Sequence, residues 1–73
     1  MTKSEIEKIA IAVGENIRRA RVRAGLTQEQ LAKAVGVTRP QITNLEGGRS
    51  NTTVPILLRI AKACHMRPSA LLP

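Results

Sequence analysis

The chain contains no Phe, Tyr or Trp. Its core must be assembled from Leu, Ile, Val, Ala and Met, which small close-packed helices can do. With no ring on which to stack a base, recognition of RNA or of single strands is disfavoured. Cysteine occurs once, as Cys64, so no internal disulfide can form. That thiol lies in the apolar run LLRIAKAC and is expected to be buried and structural. His65 is its neighbour, but no second pair stands at ligand spacing, so no metal and no cofactor are expected. No apolar run reaches membrane-spanning length, and the first eight residues are too charged for a signal peptide. A cytoplasmic protein without a membrane partner is expected. Acidic residues are few: 5 Asp+Glu stand against 12 Lys+Arg, for a net charge of +7. Such a balance favours a polyanionic partner, nucleic acid ahead of an anionic membrane surface.

The 73 residues suffice for one small domain. So little core leaves no room for a large ligand pocket. The sequence shows no nucleophilic triad, no paired carboxylates and no phosphate-binding glycine loop, and an enzyme is not expected.

Helix boundaries are written in local chemistry. Ser4-x-x-Glu7, Thr27-x-x-Gln30 and Thr38-x-x-Gln41 are capping boxes, in which the hydroxyl accepts the N3 amide and the Glu or Gln reaches back. Leu26 and Val37 precede two of these boxes and can pack on Leu31 and Ile42 as hydrophobic staples. A first helix is predicted over residues 4–24, with an apolar stripe of Ile6, Ile9, Val13, Ile17 and Ala20. Gly14 weakens its middle, so a bend or break there would leave residues 1–13 as an arm or extension ahead of a domain over 14–73. Gly25 is expected as a left-handed cap. Helices are then predicted over 28–35 and 39–45, with Gly36 between them and Gly47-Gly48 after. Thr53 caps a fourth helix whose inward stripe is Ile56, Leu57, Ile60, Ala61 and Cys64. His65 holds the left-handed position where Gly is usual. Pro68 starts a short fifth helix through Leu72. The fold expected is an all-α bundle of five helices.

The segment TQEQLAKAVGVTRPQITNLEG carries the functional signal. Leu31, Val35, Val37, Ile42 and Leu45 face inward, Ala32 permits close approach, and Gly36 supplies the turn. Arg39, Pro40, Thr43 and Asn44 are left on the outer face of the second of two short helices. A polar face there is suited to the major groove of DNA. The Arg39 fork matches O6 and N7 of guanine, with a phosphate contact as the alternative. Asn44 can bond adenine or remain a solvated amide, and Thr43 can meet a methyl group or a phosphate. Thr38 caps its helix and touches phosphate incidentally. Arg18, Arg19, Arg23, Lys33, Arg59 and Lys62 supply a long-range field. Glu46 is the single acid after Glu29, which suggests a pairing with Arg21.

TQEQLAKAVGVTRPQITNLEGGRS, preceded by GENIRRARVRAGL and followed by LLRIAKAC and RPSALL, resembles the DNA-binding domain of the lambda repressor-like family of the Cro/CI or xenobiotic-response-element type. The resemblance runs from Gly14 to Leu72. It implies a prokaryotic or phage transcription regulator that binds double-stranded operator DNA, usually as a dimer. It further implies that Gln28 holds a phosphate at the start of the second helix, that Arg39, Pro40, Thr43 and Asn44 face bases, and that Arg49 touches the backbone. Arg21 and Glu46 match an ion pair tying the first helix to the end of the third. Pro40, at a position where a polar reader is common, can offer only an apolar contact. A homodimer is expected through the apolar C-terminal face of Met66, Leu71 and Leu72, with the Ile6, Ile9, Val13 stripe as the other candidate contact. A reading from another class is an antitoxin-like or adaptor module that docks a protein through residues 4–13.

Overall fold

Four hydroxyl caps start four α-helices. The computed structural model describes residues 1–73. Helix α1 spans Lys3–Arg23, α2 Gln28–Val35, α3 Arg39–Glu46 and α4 Val54–Ala63, and a 3₁₀ turn closes the chain at Pro68–Leu71. Thr27, Thr38 and Thr53 cap α2, α3 and α4 as their spacing predicts, the first two within full capping boxes. Helix α1 differs. Its cap is Thr2 with Glu5, and Ser4, expected as the cap, lies inside the first turn. Thr2-x-x-Glu5 and Ser4-x-x-Glu7 are equivalent local signals, and the earlier one adds hydrogen-bonded backbone at no steric cost.

The Glu5 carboxylate accepts the Thr2 amide at 3.0 Å, and these hydrogen bonds hold its pKa below the ordinary value. A depressed carboxyl pKa contributes stability above the unfolded-state value and loses it as pH falls through the folded-state value. The first turn of α1 is therefore expected to fray on acidification through the carboxyl range. Amide exchange at Glu5 and Ile6, followed against pH, checks this; protection unchanged by acid would count against the cap.

Helix α1 does not break at Gly14, as the weakness of a mid-helix glycine would have allowed. It runs unbroken because Gly14 is buried where α3 crosses it. A Cβ at Gly14 would overlap the Leu45 carbonyl oxygen and come within 2.9 Å of that of Glu46. Val13, Ile17 and Ala20 enter the core, whereas Ile6 and Ile9, from the same stripe, stay outside it.

The core joins these residues to Leu31, Ala32 and Val35 of α2, Ile42 and Leu45 of α3, and Leu57, Ile60 and Ala61 of α4, with Cys64 beyond it. Leu26 and Val37 pack on it, partly buried, where staples belong. Burial pushes the Cys64 thiol up, and keeps it protonated as an apolar group. Gly36 adopts φ 84°, a left-handed turn that lets α3 fold back across α2. His65 takes the same region at φ 57°, while the Met66 amide closes onto the Ala61 carbonyl at 2.9 Å.

The end of the chain corrects two expectations. The short fifth helix predicted through Leu72 is a four-residue 3₁₀ turn that ends at Leu71, so the bundle has four α-helices rather than five helices. Leu71, expected on a dimer surface, is fully buried. The turn rotates it between α1 and α4, and Asn16 of α1 donates to the Leu71 carbonyl at 3.2 Å. Leu72 remains exposed and Met66 is partly buried. No helix is long and apolar enough to cross a membrane.

Candidate nucleic-acid interface

Helix α3 divides sharply by face. Ile42 and Leu45 are buried against α1 and α2, and Pro40 sits in the first turn, where a missing amide costs nothing. Arg39, Pro40, Thr43 and Asn44 therefore emerge together, and they line one shallow depression. Arg39, Pro40 and Asn44 are exposed; Thr43 is half-buried. Thr38, at the mouth of α3, is engaged in its own cap, its Oγ1 accepting the Gln41 amide at 3.3 Å.

Beneath this face lies a polar chain linking three helices. Arg21 donates from Nε to Glu46 Oε2 at 2.6 Å and from Nη2 to Oε1 at 3.1 Å. Its Nη1 donates to the Leu26 carbonyl at 2.9 Å, tying in the turn ahead of α2. Gln28 Nε2 donates to Glu46 Oε1 at 3.2 Å, and the Thr43 hydroxyl reaches Gln28 Oε1 at 3.0 Å. The one Thr43 proton can go instead to the Arg39 carbonyl at 3.1 Å. Only 4 % of the Glu46 side chain is exposed, against 13 % for Arg21. Every buried side-chain nitrogen and oxygen has a partner. A fork-to-fork pair in which each nitrogen and oxygen has a partner fixes an orientation as well as an energy.

The pairing of Arg21 with Glu46 is legible from charge scarcity. The part played by Gln28 is not. Its side chain turns inward to Glu46 and Thr43, and the free backbone amides of the first turn of α2 are left to meet an anion. No local pattern could have shown this, because Gln28 and Thr43 meet only after the turn at Gly36. Arg49 folds back over the end of α3, donating from Nε to Asn44 Oδ1 at 3.3 Å and from Nη2 to the Thr43 carbonyl at 3.4 Å. Both bonds are long and exposed, so the guanidinium can turn to an anion at little cost, while its charge suits the carboxyl end of the helix.

Arg18, Arg19, Arg23, Lys33, Arg59 and Lys62 are all exposed. Among them only Arg19 has an acidic neighbour, Glu15 at 3.6 Å, in a solvated pair. The field of the remaining cations is uncompensated.

The helix-turn-helix family profile HTH_3 matches residues 17–71. A protein of Methanothermobacter thermautotrophicus, described as an uncharacterized HTH-type transcriptional regulator, is 51% identical over 47 residues, covering 64% of this chain and 68% of its own. One of Archaeoglobus fulgidus with the same description is 43% identical over 51 residues, or 70% of this chain and 73% of its own. Among solved structures, the restriction-modification controller protein C.AhdI from Aeromonas hydrophila superposes with a TM-score of 0.82 at 30% identity, covering 86% of this chain and 96% of that one. The P22 c2 repressor, solved in complex with a synthetic operator, gives 0.76 at 33% identity over 82% of this chain and 91% of its own.

Proposed function

We propose, because this chain belongs to the lambda repressor-like helix-turn-helix family, that it is a sequence-specific, double-stranded-DNA-binding transcriptional regulator. The observation that carries the reading is the split of α3. Its inner face is locked into the core, and Arg39, Pro40, Thr43 and Asn44 share one outward depression. In this reading α3 enters the major groove, Arg39 bonds a guanine edge, Asn44 offers its amide to adenine, and Pro40 packs on a thymine methyl. Thr43 stands at the inner edge of the reading face. The first-turn amides of α2 at Gln28, the cap at Thr38 and the Arg49 guanidinium hold phosphates on either side.

Two copies acting as a homodimer on a palindromic operator would set their α3 helices about 34 Å apart, one helical turn of DNA. The protein would work as a repressor or controller in the cytoplasm, where its DNA is. The operator of the P22 c2 complex and the controller protein among the similar structures support that reading.

Arg39→Ala and Arg49→Ala are expected to fail differently. Loss of Arg39 should cost about 1–3 kcal/mol on the best site and relax preference at one base pair per half-site. Loss of Arg49 should weaken all duplexes alike and lower the salt slope by about one per site. Both are measured on a site selected from a random duplex pool, on its single-base variants and on random duplex, at several salt concentrations. If Arg39→Ala weakens every duplex equally and leaves base preference intact, α3 is not the reader.

A further inference from the structure

We propose that Thr43 meets DNA only as a hydrogen-bond acceptor, and so selects a base that presents an amino group in the major groove, cytosine or adenine. The inference rests on the reading of α3 as the recognition helix. It deepens that reading by giving one of the four outward residues a fixed polarity. A threonine hydroxyl ordinarily has one proton to give and two lone pairs to offer, and it suits a base of either kind.

The pair behind α3 removes that freedom. Glu46, held by two bonds from Arg21, can only accept. Gln28 meets Glu46 Oε1 at 3.2 Å through its Nε2. The opposite amide orientation would set oxygen against oxygen, so the carboxylate fixes which end of the Gln28 amide faces it. Gln28 Oε1 is then the atom that faces the Thr43 hydroxyl, 3.0 Å away. An amide oxygen has no proton, so Thr43 is the donor. The other inward partner, the Arg39 carbonyl at 3.1 Å, is also an acceptor alone. Whichever of the two takes it, the single hydroxyl proton points into the protein. No group of the protein donates to Thr43 Oγ1, so its lone pairs are left for a ligand. Thr43 shares the outward depression with Arg39, Pro40 and Asn44.

The chemistry of the major groove then sorts the partners. Guanine O6 and N7, thymine O4 and the phosphate oxygens all accept, and each would face an oxygen with nothing to give. Cytosine N4 and adenine N6 are the donors. To meet an acceptor, Thr43 would have to turn its proton outward and leave Gln28 Oε1 unpartnered in a half-buried site. Of the contacts open to Thr43 on sequence grounds, the phosphate is thereby excluded.

Selection from a random duplex pool by the wild type, Thr43→Ser and Thr43→Val tests this. Far-UV circular dichroism melts establish that each variant folds, with Thr43→Ala in reserve for the valine variant. The base pair that Thr43 reads is the one at which Thr43→Val loses preference. The wild type and Thr43→Ser, which keeps the hydroxyl, should both select adenine or cytosine there. That base is then replaced by its analogue without the amino group, purine or pyrimidin-2-one. The change should weaken the wild type roughly threefold to tenfold more than it weakens Thr43→Val, the effect of one hydrogen bond. Three results overturn the proposal: selection of guanine or thymine at that pair by the wild type, no pair at which Thr43→Val differs, or equal losses by the two proteins on the analogue duplex. Arg39→Ala separates that failure from failure of the wider reading. If it relaxes a base preference while the Thr43 tests fail, α3 reads DNA without this polarity. If no variant of α3 changes any preference, α3 is not the reader, and both readings fall.

Discussion

Replacing Glu46 with Gln is expected to cost about 3–5 kcal/mol, because Arg21 would be left buried with no anion to balance it. A domain of this size has on the order of 5–10 kcal/mol to lose, so the variant should stand close to unfolding at ordinary temperature. The substituted amide would keep one acceptor but turn its own donors toward Arg21, which can only donate. Gln28 loses the same anchor, and with it the hold on Thr43. Urea titration gives the result directly, and a midpoint unchanged from wild type would show the pair to be solvated. Arg21→Gln alone should be comparably harmful. The double variant should cost clearly less than the sum, since neither charge is then stranded.

The second large effect concerns Gly14, where two physical arguments predict opposite signs. Helix propensity says that Ala at a mid-helix glycine stabilises by about 1 kcal/mol. Packing says that the new methyl meets the Leu45 and Glu46 carbonyls of α3. These atoms are backbone, so relief requires α1 and α3 to move apart rather than a side chain to turn. Overpacking of this kind costs about 1–3 kcal/mol, and here it also pulls Glu46 away from Arg21. We expect packing to win, with Gly14→Ala less stable than wild type by roughly 2 kcal/mol and Gly14→Val by more. Thermal and urea midpoints decide the sign. A stabilised Gly14→Ala would mean that the helices do not approach as closely as described.

Gly14 also shows what can and cannot be read from a sequence. Thr27, Thr38, Thr53 and Gly36 announce their roles because cap and turn chemistry is local, decided within a turn of helix. The two short helices and their outward residues follow from that. Gly14 reads locally as a weak point because its partners, Leu45 and Glu46, lie far along the chain. Thr2 and Ser4 offer the same capping pattern side by side, so local chemistry could not choose between them. Leu71 has the composition of a surface contact, and only the 3₁₀ turn and the Asn16 bond to its carbonyl draw it inside. At the interface, the outward set on α3 and the Arg21–Glu46 pair were legible. The chain from Glu46 through Gln28 to Thr43 needed the tertiary fold.

That chain has a consequence for how the protein could acquire a new target. Arg39, Pro40 and Asn44 project outward with no tie to the core, so each can be exchanged and the bundle keeps its stability. On the proposed reading of α3, base preference could thus be rewritten position by position, through intermediates that all fold. Thr43 is different. Its hydroxyl is the last link to Gln28, and any replacement there alters the outward surface of α3 and the scaffold together. Drift in specificity should therefore run through three positions and stall at the fourth, and libraries built to retarget the domain will keep more folded members if Thr43 is left alone.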